Sequence, residues 1–128
     1  MTTKRKPVVF GLILATLVVA GGLAFEGCGG GGDPSTNEVF MQAIAFNPME
    51  ITIQAGESVT WTNQDIVPHT ATSGSPEDED MGAIFRSAQF GQGGTFTHTF
   101  ENAGEFVYFC EVHPVMMRDA KVIVTSAN

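Results

Sequence analysis

Cys110, His113, Met116 and the upstream His69 carry the chemistry of this chain. The segment reads Cys110-Glu111-Val112-His113-Pro114-Val115-Met116, so a thiol, an imidazole and a thioether fall within seven residues. His69 lies about forty residues earlier, in its own Pro68-His69-Thr70 turn. One thiolate, two imidazoles and a thioether are the donor set of a trigonal copper site with a weak axial sulfur. Zinc would accept the cysteine and both histidines, but a structural zinc site is normally closed by a fourth hard or thiolate ligand, not by methionine. With one cysteine in this region, an iron–sulfur cluster has nothing to build on. Taken singly, Cys110 would read as a small buried apolar residue, each histidine as a loop residue and Met116 as core filler; their joint spacing gives the metal site. The third histidine, His98, stands between Phe96 and Phe100 and is read as a packing or edge residue.

These donors need a scaffold that turns three of them toward one point. On a straight strand alternate side chains face opposite ways. Tyr108 and Phe109 close one strand and Ala120 to Thr125 begin the next, so His113 to Met116 must form a tight loop, helped by the fixed torsion of Pro114. His69 is expected at a strand start after Pro68. One end of a sandwich collects several such loops, so three ligands from one loop can meet a fourth from its neighbour. Each imidazole must be neutral to ligate, so acid should weaken binding.

The chain from Glu38 onward reads as strands. Val39 to Phe46 is apolar-rich, Ile51 to Ile53 and Val59 to Trp61 alternate, and Ala55-Gly56-Glu57 is a turn between them. Thr95 to Phe100 alternates cleanly, with Phe96, His98 and Phe100 on one face and threonines on the other. Glu105 to Phe109 and Ala120 to Thr125 complete the set. Short strands separated by turn signals predict an antiparallel β-sandwich. Residues 64–94 are less regular; Ser73 to Pro76 and the acidic run after them read as loop, and Gly82 to Phe90 as a short strand or turn around Ile84, Phe85 and Phe90.

Residues 1–27 read as a signal peptide or membrane anchor. Lys4, Arg5 and Lys6 form a basic start, and an apolar run extends from Val8 to Phe25. Cys28 follows and opens a glycine-rich tether, residues 28–37, before the copper-binding domain at 38–128. A cysteine in that place resembles a bacterial lipoprotein processing site, although Phe25 and Glu26 depart from the usual pattern. Lipid attachment at Cys28, an uncleaved helix over residues 8–25 and plain secretion all place the domain outside the cytoplasm, in the periplasm or on the outer surface.

Six basic and fourteen acidic side chains give a net charge of −8. Without residues 1–27, which hold Lys4, Arg5, Lys6 and Glu26, three basic and thirteen acidic side chains remain, a net charge of −10. So acidic a domain repels nucleic acid and attracts basic proteins. Glu77-Asp78-Glu79-Asp80 concentrates four of the charges in one loop.

From Glu38 to Thr125 the chain resembles the cupredoxins, and most closely their plastocyanin and amicyanin branch. Trp61 to Thr70 is similar to that family's first-histidine segment, and Tyr108 to Met116 to its ligand loop, with amicyanin's short gap between His113 and Met116. The resemblance implies an all-β Greek-key sandwich holding one type 1 copper ion, with His69, Cys110 and His113 as equatorial ligands and Met116 as the axial one. Met117 follows directly, so a shifted loop offers a second thioether. Thr70 stands where many relatives have an asparagine that ties the two ligand loops together. The implied function is electron transfer without enzymatic chemistry, by a monomer. A redox protein such as a cytochrome would exchange electrons through an apolar patch around His113, steered by Glu77 to Asp80. The alternative is an envelope protein that binds or delivers copper. A multicopper enzyme would need more histidines than His69, His98 and His113.

Overall fold

The computed structural model describes residues Asn37 to Asn128. The expected signal or anchor segment, Cys28 and the tether lie outside these residues. Eight strands make two four-stranded sheets: β1 (Glu38–Met41), β2 (Phe46–Asn47), β4 (Ser58–Asn63) and β6 (Thr95–Thr99) in the order β2-β1-β4-β6, and β3 (Glu50–Gln54), β5 (Thr72–Ser73), β7 (Gly104–Phe109) and β8 (Ala120–Thr125) in the order β3-β8-β7-β5. The all-β sandwich expected from the sequence is what forms. It is not wholly antiparallel, however: β1 pairs parallel to β4, and β3 parallel to β8. Alternation alone reports that a strand has a wet and a dry face, not the direction of its neighbour.

The dry faces supply the core. Val39 and Met41 of β1, Val59 and Trp61 of β4, and Ala120, Val122 and Val124 of β8 point inward and are buried. Trp61 sits at the centre, with ring centroids 5.3 Å from Phe85, 5.6 Å from Phe96 and 5.4 Å from Tyr108. Truncating such a ring to alanine typically costs about 3–5 kcal/mol. On the wet face, the β4–β6 register sets hydroxyls opposite one another: Ser58 against Thr99 at 2.6 Å and Thr60 against Thr97 at 2.9 Å.

Two stretches depart from the pattern read along the chain. Val39 to Phe46 is broken into β1 and β2, because Ala43 and Ile44 both adopt positive φ, 55° and 54°. Left-handed backbone is costly for residues with a Cβ. Here the Asp65 carboxylate accepts both amides, from Ala43 at 2.7 Å and Ile44 at 2.9 Å. Between residues 64 and 94, the short strand β5 includes Ser73, read from sequence as loop. The segment after the acidic run attaches through single bridges, Arg86 to Thr72 of β5 and Phe90 to His69 ahead of it, and buries Phe85 in the core.

Candidate metal centre

Two loops meet at one end of the sandwich. The first leaves β4 at Asn63, whose buried side-chain amide donates to the carbonyls of Val67 (2.8 Å) and Phe90 (2.9 Å) while its oxygen accepts the Asp65 amide at 2.8 Å. One side chain thus shapes the turn that delivers His69. The His69 backbone is clamped on Phe90 by a reciprocal pair of bonds, at 3.2 and 3.0 Å. The second loop leaves β7 at Phe109 and closes on itself. The Cys110 amide donates to the Met117 carbonyl at 2.8 Å, and the His113 carbonyl accepts the amides of Met116 and Met117.

Closing that ring brings the donors together. Cys110 Sγ lies 3.7 Å from His69 Nδ1 and 3.9 Å from His113 Nδ1, and the three atoms all lie within 4.8 Å of one another. An ion inside a triangle of such edges sits roughly 2–2.5 Å from each corner, the range of metal–nitrogen and metal–sulfur bonds. Cys110 is a free, fully buried thiol. The residues therefore fit a copper ion in both size and donor type.

His69 is fully buried, and its Nε2 contacts an Asp65 carboxylate oxygen at 2.9 Å. A carboxylate only accepts, so Nε2 carries the ring proton and the Nδ1 lone pair faces the sulfur. Burial pushes the Asp65 carboxyl up, but bonds from the Ile44 amide, the His69 ring and the Ala43 amide outweigh it and hold the group below its ordinary range. Asp65 has no diagnostic signal in sequence, beyond standing four residues before a candidate ligand.

The two adjacent methionines face opposite ways. Met116, expected as the axial thioether, is 66 % exposed, whereas Met117 is fully buried in the same core cluster as Cys110. The turn geometry is the reason. Both amides bond back to the His113 carbonyl, and in that tight turn Met116 faces outward and Met117 inward. Met117, not the Met116 expected as axial ligand, is thus the thioether on the buried side with Cys110.

Thr70 does tie the loops together. Its backbone amide donates to Cys110 Sγ at 3.3 Å, and its hydroxyl accepts the Glu111 amide at 2.8 Å. Glu111 is gripped by the Arg86 guanidinium, which with the Thr72 hydroxyl overcomes the effect of burial and holds its carboxyl below the ordinary value. His98 stays apart from this end, between the rings of Phe85 and Phe100.

A sequence profile of copper-binding proteins of the plastocyanin/azurin family matches residues 35–125. The chain is 37 % identical to a chloroplastic plastocyanin of Tetradesmus obliquus, over 64 % of this chain and 59 % of that protein. It is 35 % identical to amicyanin-alpha of Methylorubrum extorquens, over 70 % of this chain and 71 % of the relative. Among solved structures, a purple cupredoxin from Nitrosopumilus maritimus superposes with a TM-score of 0.60 at 29 % identity, covering 69 % of this chain and 98 % of the other. The match thus spans less than two thirds of the plastocyanin's length. A two-sheet sandwich with a buried cysteine facing two histidines at one end, and a profile match over most of its length, make this chain a member of the plastocyanin/azurin family of copper-binding proteins.

Proposed function

We propose that the protein is a one-electron carrier in which His69 Nδ1, Cys110 Sγ and His113 Nδ1 would hold a single copper ion, with the Met117 thioether as a further weak donor. The observation that carries this reading is the convergence of one thiol and two imidazoles, held by two loops, at the end of a packed core. Copper bound there supplies reversible Cu(II)/Cu(I) chemistry. The rest is the work of this chain's residues. Asp65 fixes the tautomer and tilt of His69, the Thr70 amide donates to the sulfur, and the closed Cys110–Met117 turn restrains the donor set so that little rearrangement accompanies a change of charge.

Electrons exchange through His113. Its ring is half-buried, and Val115 and Met116 beside it and Ile66 on the neighbouring loop are 83 %, 66 % and 86 % exposed. A groove of about 200 Å³, lined by Pro76, Met81, Phe109, Glu111 and Pro114, runs between this loop and the acidic one. Among the described residues all three basic side chains are paired with carboxylates: Arg86 with Glu111, Arg118 with Glu77 and Asp119, and Lys121 with Glu105. The unbalanced negative charge favours a basic redox partner, such as a cytochrome. On this reading the domain works outside the cytoplasm, delivered by residues 1–27 and tethered through a lipid on Cys28 or through residues 8–25.

An absorption spectrum with copper(II) tests the centre. An intense visible thiolate-to-copper band is expected, and Cys110→Ser should abolish it. A colourless wild-type complex would refute the carrier. Loosely held copper with slow electron exchange would favour copper delivery instead.

A further inference from the structure

We infer that Arg86 is a positioning residue for the cysteine sulfur, anchoring a closed chain of hydrogen bonds that runs through Glu111, Thr72 and Thr70 to Cys110 Sγ. The inference rests on the proposed role of Cys110 as a copper ligand. Its links are all in place. Arg86 Nε and Nη2 donate to the two Glu111 carboxylate oxygens at 2.7 and 2.6 Å. Thr72 Oγ1 donates to Glu111 Oε1 at 2.6 Å. The hydroxyls of Thr70 and Thr72 are 3.4 Å apart, the Glu111 amide donates to Thr70 Oγ1, and the Thr70 amide donates to the sulfur.

The Thr72 hydroxyl joins the two ends of this network. Its one proton faces both the Glu111 carboxylate, at 2.6 Å, and Thr70 Oγ1, at 3.4 Å, and the nearer, charged acceptor holds it more strongly. Thr70 Oγ1 also accepts the Glu111 amide. Thr72 therefore connects the oxygen that receives the Glu111 amide to the Glu111 carboxylate, where Arg86 holds it. Connected bonds polarise one another, and Thr70 and Thr72 lie in the dry interior where that matters most. The 3.4 Å link is the weakest. It survives only while both ends are held, and Arg86 holds one of them.

The fold prepares the place of Arg86. Its backbone bridges Thr72, the Ser73 amide donates to Phe85, and Ala71 and Ser87 exchange bonds at 3.0 and 2.9 Å. Gly82, at φ +78°, leaves room for the side chain; a Cβ there would come within 2.9 Å of Arg86 Cδ. The guanidinium fork thus reaches Glu111 from a fixed base. Arg86 is 53 % exposed and Glu111 24 %, and so exposed a pair contributes little to global stability. Its effect is local. Hydrogen bonding at the cysteine sulfur tunes the reduction potential of such centres, and loss of the chain lets the Thr70 amide move off the sulfur, favouring copper(II).

Two measurements on Thr72→Val, Arg86→Met and Arg86→Lys decide the matter: hydrogen exchange of the Glu111 amide in copper-free protein, and the midpoint potential with copper bound. Thr72→Val and Arg86→Met should each speed that exchange about tenfold and lower the reduced-to-oxidised ratio at fixed poise by about threefold to tenfold. Arg86→Lys, which keeps the charge and loses the fork, should fall between these and wild type. Unchanged exchange and potential in Thr72→Val would overturn the inference. So would a potential shift in Arg86→Met with none in Thr72→Val, which would reduce Arg86 to a bare charge. Should Arg86→Met fail to fold, the shape-preserving Thr72→Val decides. A colourless wild-type complex would sink the carrier reading alone, since exchange in the copper-free protein still judges the chain of bonds.

Discussion

The two imidazoles that face Cys110 are held in opposite ways. His69 is walled in: its backbone is clamped to Phe90, its Nε2 is tied to Asp65 and no part of it reaches solvent. His113 stands on a self-closing turn, half-buried, with exposed apolar neighbours and, among the described residues, no hydrogen-bond partner on its far nitrogen. On the proposed function, the same ligand chemistry is divided between an anchor and a doorway. A carrier needs both, because a donor set exposed on all sides would lose its geometry and one buried on all sides could not be reached.

The sharpest way to break this contrast is to remove each ring and offer imidazole from solution. Copper-loaded His113→Gly should recover an intense thiolate band when imidazole is added, because the vacated space opens to solvent. His69→Gly should not recover. Its space is sealed, and the variant also strips Asp65 of a partner, so its copper-free form should lose about 2–4 kcal/mol in chemical denaturation. Equal rescue of both variants would show that the burial difference has no functional meaning.

The two methionines sharpen the comparison at lower amplitude. Met117→Ala opens a hole in the core and should cost the copper-free protein about 2–5 kcal/mol, besides altering the copper spectrum. Met116→Ala should change stability by less than about 0.5 kcal/mol and leave the spectrum as it was. It should instead slow electron exchange with a partner that docks over His113. A spectrum that responds to Met116→Ala alone would return the axial role to Met116.

This methionine pair also marks where sequence reading stopped. Strand positions were legible because alternation reports burial directly, as in Thr95 to Phe100 and Ala120 to Thr125. His69, Cys110 and His113 were legible because their donor types are uncommon and their spacing is tight. Choosing between adjacent thioethers needed the turn, which depends on two amides sharing the His113 carbonyl. Asp65, Thr72 and Arg86 were invisible for a different reason. Asp65 stands four residues from His69, but its carboxylate's other partners lie 21 and 22 residues away, and Arg86 and Thr72 meet Glu111 from 25 and 39 residues away; common polar residues give no local pattern that predicts such pairings. The parallel pairs β1–β4 and β3–β8 were missed on the same ground.

His98 supplies the smallest test, as the histidine that belongs to neither role. Its ring packs 5.1 Å from Phe85 and 4.8 Å from Phe100, opposite Val59 across the sheet, at a cleft that Glu101 and Asn102 also line. Burial among these rings pushes its pKa below the ordinary histidine value, and among the described residues no carboxylate bonds to it to reverse the shift. The native state therefore binds fewer protons at His98 than the unfolded chain does. Stability from this group is complete above the unfolded value, ~6.5, and is lost as pH falls from there through the lower folded value. His98→Phe removes the titration and keeps an aromatic ring in place. Wild type and variant share His69 and His113, so subtracting their copper-free stabilities between pH 7.5 and pH 5 isolates His98. The wild type should lose more stability than His98→Phe as the solution is acidified. A difference that is flat, or that slopes the other way, would mean that Glu101 across the cleft, not the aromatic rings, governs this ring.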